Sequence, residues 1–316
     1  MRVAITGGLG FISCRVARDL LTRGHDVAVL DIASTSVHPL GRELLRTVDL
    51  RPCDLTDAGA TERALADADA VFHAAALGTK AERTHPRETL ALNLTGTANA
   101  LEGARRGGAR RFVLASSAVV YGEGTGERVL REDDPIVDVP TIYAATKLAG
   151  EQLVRAYGHQ FGLSGIALRF MNVYGYAPRE FEFRELTARV LERIEDGLAP
   201  IIHGDGTNAF DLIHVDDVAR AVVLALEHET AGGEVNVGTG VGTEVRAVVQ
   251  RLIALCASDL QPDYQREVQV PVKRYTADCE RAREVLGFAA EIDLDAGLRR
   301  LLAESRAARS ATPLAA

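Results

Sequence analysis

Lysine, tryptophan and cysteine are scarce in this chain of 316 residues, and their scarcity limits the kinds of functional site that it can contain. There is no tryptophan, and the basic residues are almost all arginine, with lysine only at Lys80, Lys147 and Lys273. The four cysteines have neither the spacing of a zinc site nor the density of a disulfide framework. We therefore expect reduced thiols in a cytoplasmic protein, and no metal site. Because lysine is rare in this chain, each of the three lysines is a stronger candidate for a functional residue.

The chain also lacks an excess of positive charge and any long apolar run. Its formal net charge is -8, with acidic and basic residues interspersed, which leaves no basic stripe for a nucleic-acid backbone. No apolar run approaches the roughly 18 residues that a bilayer span requires. Strand-forming residues begin at once, where a signal segment would carry basic and then apolar residues. We therefore expect neither nucleic acid nor a membrane as partner.

Short apolar runs alternate with helical patterns through the first half of the chain. The runs are continuously apolar, as in strands that are buried on both faces of a parallel sheet. Alternation of strands and helices at this spacing predicts an α/β fold with a doubly wound parallel sheet of the Rossmann type. The predicted strands are 2–6, 26–30, 70–75, 111–116 and 165–170, and the predicted helices are 11–23, 57–67, 84–106 and 142–161.

The rhythm changes after Arg169, where shorter and less regular elements follow. Helical patterns cover 180–196, 215–227, 243–256 and 278–286, with short strands near 200–213 and 234–237 and an extended run at 268–276. The predicted domains are 1–170, a Rossmann domain, and 171–305, a smaller substrate lobe over the carboxyl edge of the sheet, where open α/β folds bind ligands. Segments near 205–238 are expected to return to the first domain, and 306–316 to be a disordered tail.

A glycine-rich turn joins the first strand to the first helix. Gly7-Gly8-Leu9-Gly10 lets the backbone turn tightly and lets a pyrophosphate approach the helix N-terminus. Asp31 ends the second strand about 20 residues later, the spacing expected of an acid that binds the adenosine ribose. Because this carboxylate would repel a 2′-phosphate, the pattern favours NAD over NADP. The alternative is an ordinary surface aspartate at the end of a strand.

A serine, a tyrosine and a lysine mark a candidate chemical site. The fifth strand ends near Ser117, and Tyr143 and Lys147 lie four residues apart on one face of a helix. A nearby ammonium favours the phenolate and lowers the pKa of a tyrosine from about 10 toward neutrality. Tyr143 is therefore a candidate general base for an alcohol and general acid for a ketone. The alternative is a chance or solvated pair, which the scarcity of lysine disfavours.

Taken together, these motifs resemble the extended short-chain dehydrogenase/reductase family. The motifs are TGGLGFI (6–12), Asp31, CDLTD (53–57), HAAA (73–76), Asn93, SSAVVYG (116–122), YAATK (143–147) and LRFMNVYG (168–175), in the family's order and spacing. The resemblance extends from Met1 to about Ser305. It is strongest to the NAD-dependent nucleotide-sugar epimerase and dehydratase branch, including enzymes similar to UDP-galactose 4-epimerase.

The resemblance implies a role for each matching residue. Ser117 would bond the reacting hydroxyl, Tyr143 would transfer its proton, and Lys147 would hold the nicotinamide ribose. Asn172 would face the substrate together with Ser117 and Tyr143. The implied NAD contacts are Gly7, Gly10, Phe11 and Ile12 at the pyrophosphate, Asp31 at the ribose, Asp54 and Leu55 at the adenine, and Ala74, Ala75, Ala76, Asn93, Tyr143, Lys147, Phe170 and Val173 elsewhere on the cofactor.

Two further points concern His73 and the oligomeric state. We interpret His73 as a half-buried histidine whose ring nitrogens are satisfied, without a catalytic role. The family commonly forms homodimers through two central helices, which correspond to 84–106 and 142–161 here. The resemblance therefore implies a homodimer.

The residues after Ser117 favour epimerisation over other reactions of the branch. Dehydratases of this family carry an Asp-Glu pair there, whereas this chain has Ala118 and Val119, which cannot transfer a proton. The glutamate that uronate decarboxylases of this family carry there is also absent. The leading interpretation is an NAD-dependent epimerase of a nucleotide sugar, acting at C4 by reversible oxidation through a keto intermediate.

Phe210 departs from the family pattern and keeps an alternative open. Nucleotide-sugar epimerases carry an arginine for the substrate diphosphate at this position, and phenylalanine cannot pair with phosphate. Arg266, Lys273 and Arg274 are nearby cations that would compensate. The alternative is an NAD-dependent dehydrogenase or ketoreductase acting on a sugar, polyol or other alcohol without a diphosphate. A third hypothesis, an idle NAD-binding scaffold, is disfavoured by the complete proton-transfer set.

Overall fold

The computed structural model describes residues 1–32, 38–122, 126–177, 186–230, 232–268 and 273–311. Its strands are β1 (Arg2–Thr6), β2 (Asp26–Asp31), β3 (Asp49–Pro52), β4 (Ala70–His73), β5 (Arg111–Ser117), β6 (Gly126–Leu130), β7 (Ser164–Phe170), β8 (Asn172–Tyr174), β9 (Ile201–His203), β10 (Ala209–His214), β11 (Gly233–Val237), β12 (Gly242–Glu244), β13 (Asp263–Gln265) and β14 (Lys273–Ala277). Its α-helices are α1 (Phe11–Thr22), α2 (Pro39–Leu44), α3 (Ala58–Leu65), α4 (Pro86–Leu90), α5 (Thr97–Gly107), α6 (Ile142–Phe161), α7 (Leu186–Glu195), α8 (Val215–Glu227), α9 (Val245–Leu255), α10 (Glu280–Leu286) and α11 (Leu294–Ala311).

Parallel strands form the main sheet. Their order is β11-β7-β5-β4-β1-β2-β3, so the chain starts in the middle of the sheet and reverses its direction of winding between β1 and β4. This is the order of a doubly wound Rossmann-type sheet, which confirms the predicted fold class. The crevice at the reversal lies beyond the carboxyl ends of β1 and β4, where Thr6 is the register partner of His73.

Helices cover both faces of this sheet, which explains why its strands are apolar throughout. In β1, Val3 and Ile5 belong to the core cluster formed with α1 and α8, whereas Ala4 belongs to the cluster under α3, α5 and α6. None of these three side chains has exposed surface. Burial of an aliphatic side chain contributes roughly 1.5–3 kcal/mol, so both layers stabilise the sheet.

A second sheet belongs to the smaller lobe. Its order is β12-β10-β14-β6, and β8 pairs with β10. β8 follows the carboxyl end of β7, and β6 follows the carboxyl end of β5 after a 3-10 turn over Ala118–Tyr121. The second sheet therefore lies beside the carboxyl edge of the main sheet, where the ligand crevice is expected.

Most predicted elements agree with the structure, and the differences lie in how distant segments pair. Of the segment 205–238, β11 lies in the main sheet, whereas β10 lies in the second sheet. β6 comes from the first half of the chain but pairs with β14. The predicted helix 84–106 consists of α4, a π-helical stretch over Ala91–Gly96, and α5. Residues 178–185 and 269–272, which fall within or beside two predicted elements, lie outside the described residues.

The expectation of a disordered tail from residue 306 is wrong for residues 306–311. α11 continues to Ala311 because alanine and arginine favour helix and because its last turns contact the end of α7. Ser305 Oγ donates to Glu195 Oε2 at 2.8 Å, and Arg309 pairs with Asp196 at 2.9 Å. Residues 312–316 lie outside the described part of the chain.

Three findings concern membranes, metals and thiols. No helix among the described residues is long and apolar enough to cross a membrane. In the same ranges, no group of three or more His, Cys, Asp or Glu side chains is placed to hold a metal ion. All four cysteines carry free thiols.

Candidate active site

The turn between β1 and α1 leaves the N-terminus of α1 open to an anion. Gly7 has a φ of 62°, and its N–H donates to the Leu30 carbonyl oxygen at 2.8 Å. A Cβ at Gly7 would lie 2.8 Å from Cα of Ala75, closer than real Cβ atoms approach. Gly10 precedes α1 without a side-chain cap, and the first turn of α1 holds no acidic residue. The positive end of this helix is therefore free to bind a pyrophosphate.

Phe11 and Ile12 contribute their backbone to this site. The Phe11 side chain is 5% exposed and lies in the core, and Ile12 packs partly against the same cluster. The first N–H groups of a helix have no acceptor within the helix. These backbone donors, rather than the two side chains, therefore suit the predicted contact with a pyrophosphate.

Asp31 presents a carboxylate at the end of β2, next to the glycine turn. Its Oδ2 accepts the N–H of Leu9 at 3.1 Å, and its Oδ1 accepts the N–H of Ile32 at 2.8 Å. A carboxylate has about four lone-pair sites, so capacity remains for ribose hydroxyls. Together with the open helix end, this geometry fits a dinucleotide such as NAD.

The predicted adenine contacts, Asp54 and Leu55, differ in exposure. Asp54 is exposed, and its Oδ1 accepts the N–H and the hydroxyl of Thr56 at 2.9 and 2.8 Å, which lowers the pKa of Asp54. Leu55 is 3% exposed, and its carbonyl oxygen accepts a bond from Asn99 at 2.8 Å. The Leu55 side chain belongs to the core, so the predicted contact with the adenine would involve its backbone.

Small residues follow β4 where the dinucleotide is expected to cross the sheet. The N–H groups of Ala74 and Ala75 lie 3.2 and 3.3 Å from the Thr6 hydroxyl oxygen, which accepts both. Ala76 is half-buried, like the two alanines before it. Methyl side chains at these positions are small enough for a dinucleotide to pass close to the backbone.

His73 ends β4 inside the core. It is 1% exposed, and its Nδ1 and Nε2 bond the hydroxyls of Thr6 and Thr97 at 2.8 and 2.9 Å. Burial lowers the pKa of His73 to about 3. It is therefore a neutral structural histidine, more deeply buried than the sequence predicted.

Three predicted cofactor contacts stay predictions, and their side chains have other partners in this structure. Asn93 is 3% exposed; its Oδ1 accepts the Leu77 N–H at 2.8 Å, and its Nδ2 donates to the Leu77 carbonyl and to Thr146 Oγ1 at 2.9 and 3.1 Å. Asn93 thus holds the segment after β4 against α6. Phe170 and Val173 are 5% and 7% exposed and lie in the core. Contacts of these three residues with the cofactor would therefore involve their backbone first.

The start of α6 fixes the position of Tyr143. Thr141 Oγ1 accepts the N–H of Ala144 at 3.1 Å and caps the helix. The backbone N–H of Tyr143 donates to Glu82 Oε2 at 2.5 Å. The Tyr143 side chain is partly exposed, as a group that must reach a substrate requires.

Lys147 lies between Tyr143 and the end of β5. It is 6% exposed, its Nζ donates to the Ala115 carbonyl oxygen at 2.9 Å, and Nζ lies 5.5 Å from the centre of the Tyr143 ring. Ser117 stands two residues after Ala115, and its Oγ accepts the N–H of Val119 at 3.4 Å. The ammonium and the phenol therefore lie near the carboxyl end of β5, the strand that ends with the Ser117 hydroxyl.

Behind Lys147 lies a buried carboxylate that the sequence analysis did not identify. Burial lowers the pKa of Lys147 to about 8, and Glu151, one turn further along α6, opposes this effect. Glu151 is 1% exposed, accepts the Ser116 hydroxyl at 2.5 Å and pairs with Arg169 at 2.8 Å. Arg169 offsets the cost of burying the carboxylate. The four-residue spacing of Tyr143, Lys147 and Glu151 was the available signal.

The second sheet supplies the wall that carries Asn172 and Phe210. Asn172 Nδ2 donates to Tyr275 Oη at 3.0 Å and to the Asp211 carbonyl oxygen at 3.4 Å. The rings of Phe210 and Tyr275 have centroids 5.4 Å apart and meet edge to face. The position that carries arginine in the nucleotide-sugar epimerases is thus part of an aromatic pair here.

A cavity of about 150 Å³ lies between Tyr275 of the second sheet and residues that neighbour Ser117 and Tyr143 in sequence. Its lining includes Ala118 and Val119 after Ser117, Thr141 and Ala144 on either side of Tyr143, and Arg128, Lys273 and Tyr275 from the second sheet. A substrate in this cavity would therefore lie close to the ammonium, phenol and hydroxyl described above.

The three cations suggested to replace the missing arginine lie in different places. Lys273 lines the cavity. Arg274 pairs with Glu244 and, at 3.3 Å, with Glu127. The Arg266 guanidinium lies 5.9 Å from the centre of the Tyr264 ring, beside β13. Of these three, Lys273 is the one that lines the cavity.

Comparison with known proteins agrees with this arrangement. Residues 3–238 match the model of the NAD dependent epimerase/dehydratase family. The chain is 32% identical to the UDP-glucose 4-epimerase of Mycolicibacterium smegmatis over 308 residues, which cover 94% of this chain and 96% of that protein. It is 30% identical to the dTDP-glucose 4,6-dehydratase of Streptomyces griseus over 314 residues, which cover 93% and 90%.

A solved structure is similar along almost the whole chain. The Thermus thermophilus UDP-glucose 4-epimerase in complex with NAD is 31% identical, and the match covers 98% of this chain and 100% of that chain. The TM-score of the two structures is 0.85. The likeness therefore includes the second sheet as well as the Rossmann sheet.

Proposed function

Because the chain belongs to the NAD dependent epimerase/dehydratase family, we propose that it is an NAD-dependent epimerase of a nucleotide sugar, acting at C4 through a keto intermediate. The observation that carries this proposal is the position of the Lys147 ammonium. It is buried near the end of β5, the strand that holds Ser117, and Nζ lies 5.5 Å from the centre of the Tyr143 ring. A proton-transfer group thus lies beside the cavity in which a sugar hydroxyl would bind.

The catalytic roles follow from the geometry of these three residues. NAD, bound along the glycine turn, supplies the hydride acceptor and donor. The Tyr143 phenolate takes the proton from the substrate hydroxyl and returns it when the ketone is reduced. Lys147 stabilises the phenolate, because its ammonium lies against the ring in a buried setting where charges interact strongly. The Ser117 hydroxyl bonds the oxygen that changes between alcohol and ketone.

The residues after Ser117 support epimerisation rather than elimination of water. Ala118 and Val119 line the cavity and offer no acid or base to a neighbouring carbon. One similar protein is a dTDP-glucose 4,6-dehydratase, but its reaction requires proton transfers that these two side chains cannot perform. Oxidation at one carbon, rotation of the ketone and reduction on its other face need NAD for the hydride and only the three residues named above for the proton.

A panel of substrates tests this proposal against its alternative. The protein would be incubated with NAD and UDP-, dTDP- and GDP-sugars, and with free sugars and uronates, while chromatography and NADH absorbance are followed. We expect a new isomer of a nucleotide sugar without net NADH. Net NADH, or turnover only of compounds without a diphosphate, would instead establish the dehydrogenase or ketoreductase, the alternative that Phe210 favours.

Three finer points remain proposals. We propose a homodimer through α4, α5 and α6, since the family commonly uses the corresponding helices. We also propose a cytoplasmic location, which the free thiols of the four cysteines support because such thiols persist in reducing compartments. The division into residues 1–170 and 171–305 also remains a proposal, with β6 and β11 each pairing in the other domain's sheet.

A further inference from the structure

The backbone of Tyr143 is hydrogen-bonded on both sides. Its N–H donates to Glu82 Oε2 at 2.5 Å, and its carbonyl oxygen accepts the Thr146 hydroxyl at 2.8 Å. Thr146 is 2% exposed, and its Oγ1 in turn accepts a bond from Asn93 Nδ2 at 3.1 Å. Two residues from outside α6, Glu82 and Asn93, therefore help to fix where the backbone of Tyr143 lies.

The turn that carries Glu82 is anchored at its start and borders the cavity. The Leu77 N–H donates to Asn93 Oδ1 at 2.8 Å, and the Leu77 carbonyl oxygen accepts Asn93 Nδ2 at 2.9 Å. Within the turn, the Glu82 N–H donates to the Gly78 carbonyl oxygen at 3.2 Å. Thr79 lies between these bonds and lines the cavity. One short segment therefore borders the substrate cavity and brings a carboxylate to the start of α6.

The Glu82 carboxylate supplies an acceptor and a charge that the first turn of α6 does not provide. The first four N–H groups of a helix have no acceptor within the helix. Thr141 accepts the N–H of Ala144, and the first turn of α6 contains no acidic residue. A carboxylate is a strong acceptor, and its charge is favourable at the positive end of a helix. Glu82 therefore stabilises the start of α6 from a position 61 residues away in the chain.

We propose that Glu82 is a positioning residue for the proton transfer, which acts through the backbone of Tyr143. This inference rests on the proposed function and adds a residue to its site. A shift of the Tyr143 backbone moves the phenol relative to the substrate hydroxyl and to Lys147. Proton transfer requires the two oxygens to lie within about 2.6–3.2 Å of each other. A displacement of about 1 Å can lower the rate about 100-fold.

Two substitutions separate the hydrogen bond of Glu82 from its charge. Glu82→Ala removes the acceptor and the charge, whereas Glu82→Gln removes the charge and keeps an oxygen that can accept the Tyr143 N–H. Glu284→Ala is the matched control, because it removes an exposed carboxylate from α10, outside the site. Thermal unfolding would verify that each variant of the full-length protein is folded.

Fluorine NMR reports the position of the Tyr143 ring without any substrate. The NAD-loaded proteins would carry 3-fluorotyrosine, and the Tyr143 signal is the one that is missing from Tyr143→Phe. In parallel, kcat and dissociation constants would be measured with UDP-glucose, or with the UDP-, dTDP- or GDP-sugar that the panel shows to be converted. The affinity for NAD would be measured as well.

We expect Glu82→Ala to shift or broaden the Tyr143 signal and to lower kcat about 10- to 100-fold. The dissociation constants of NAD and of the sugar should change by about twofold or less, because Glu82 is expected to contact neither. Glu82→Gln should restore the signal and most of kcat, since its amide oxygen accepts the same N–H. The control variant should match the unmodified protein. A role in helix stability alone would lower the thermal unfolding temperature without moving the Tyr143 signal or separating kcat from affinity.

Three results would overturn the positioning role. They are an unchanged Tyr143 signal in Glu82→Ala, a changed signal without a fall in kcat, and a Glu82→Gln variant as impaired as Glu82→Ala. Failure of the proposed function is distinguishable from these results. If the unmodified protein forms no isomer from any sugar of the panel, the epimerase is overturned, and the fluorine signal still decides whether Glu82 positions Tyr143.

Discussion

At the scale of single residues, the burial of Lys147 links the structure to the chemistry. Its Nζ is held by the Ala115 carbonyl oxygen, so the ammonium stays against the Tyr143 ring rather than in solvent. The same burial lowers the pKa of Lys147 to about 8, close to the pH at which an enzyme works. Lys147 is therefore charged at neutral pH but loses its proton in mild alkali.

Removal of the phenolic oxygen tests the role of Tyr143. In Tyr143→Phe the ring and its contact with Lys147 remain, but no proton can be transferred. We expect turnover to fall about 100- to 10,000-fold while NAD binding is retained. Tyr157→Phe is the matched control on the same helix, because its hydroxyl bonds Glu102 at 3.4 Å, away from Tyr143 and Lys147. Turnover within about twofold of the unmodified protein would show that Tyr143 is not the proton-transfer group.

Glu151 is a positioning residue whose effect is visible in the pH profile. Glu151 raises the pKa of Lys147 against the effect of burial, so Glu151→Gln should lower that pKa below about 8. Because the Lys147 ammonium is needed, the alkaline limb of kcat/KM should move to lower pH. A purely structural role would lower activity or stability without moving this limb. An unmoved limb in a folded Glu151→Gln variant would contradict the electrostatic role.

Asp31 tests cofactor choice. Its carboxylate lies beside the glycine turn, bonded to the Leu9 and Ile32 N–H groups, where it would repel a 2′-phosphate. Asp31→Ala should weaken NAD binding by about 10-fold or more and reduce the discrimination against NADP. Fluorescence titration with each cofactor measures the affinities for NAD and NADP. Equal affinity of the unmodified protein for NADP and NAD would show that Asp31 does not select the cofactor.

At the scale of elements, the buried histidine at the end of β4 affects how the stability of the protein depends on pH. The pKa of His73 is about 3 in the folded protein and about 6.5 in an unfolded chain. Between these values the unfolded state binds a proton that the native state does not, so the free energy of unfolding falls as the pH falls. Other groups titrate in the same range, so a variant is needed to isolate His73.

Denaturant unfolding of the His73→Gln variant isolates the contribution of His73 to the pH dependence of the free energy of unfolding. Glutamine keeps a donor and an acceptor near Thr6 and Thr97 but does not titrate. From about pH 7 to about pH 5.5, the unmodified protein should lose ~1 kcal/mol more stability than the variant. Parallel pH dependences for the two proteins would show that His73 takes up a proton in the folded state.

Elements defined by local pattern could be predicted, and those defined by distant pairing could not. β1 and α6 have the predicted bounds, because a continuous apolar run and a capped amphipathic segment are visible in a single stretch of sequence. β6 escaped prediction because it becomes a strand by pairing with β14, far along the chain. The π-helical stretch Ala91–Gly96 escaped for a related reason, since it accompanies the bonds of Asn93 to Leu77.

The sequence does not show the direction of a side chain, and this limited which site residues could be predicted. The glycine turn, Asp31 and the Tyr143–Lys147 pair are recognisable from spacing, because they lie at strand ends or on one helix face. Whether Asn93 bonds a cofactor or the Leu77 backbone depends on the tertiary fold. Arg128 was not identified because only the pairing of β6 with β14 places it in the cavity.

At the scale of the whole molecule, two sheets together form the site. The Rossmann sheet positions the glycine turn, Asp31 and the catalytic residues at one edge, and the second sheet supplies a cavity wall with Arg128, Lys273 and Tyr275. Each sheet borrows a strand from the other half of the chain, β11 in one case and β6 in the other. Neither half of the sequence would therefore form the site alone.

The central claim is reversible oxidation at C4, and a substrate labelled with deuterium at that carbon tests it most directly. The NAD-loaded protein would convert UDP-glucose or UDP-glucuronate carrying deuterium at C4, and mass spectrometry and NMR would locate the label in the new isomer. The account predicts that deuterium stays at C4, because the hydride leaves and returns without meeting water, and that no net NADH accumulates. Loss of the label to solvent, or an isomer altered at another carbon, would contradict it.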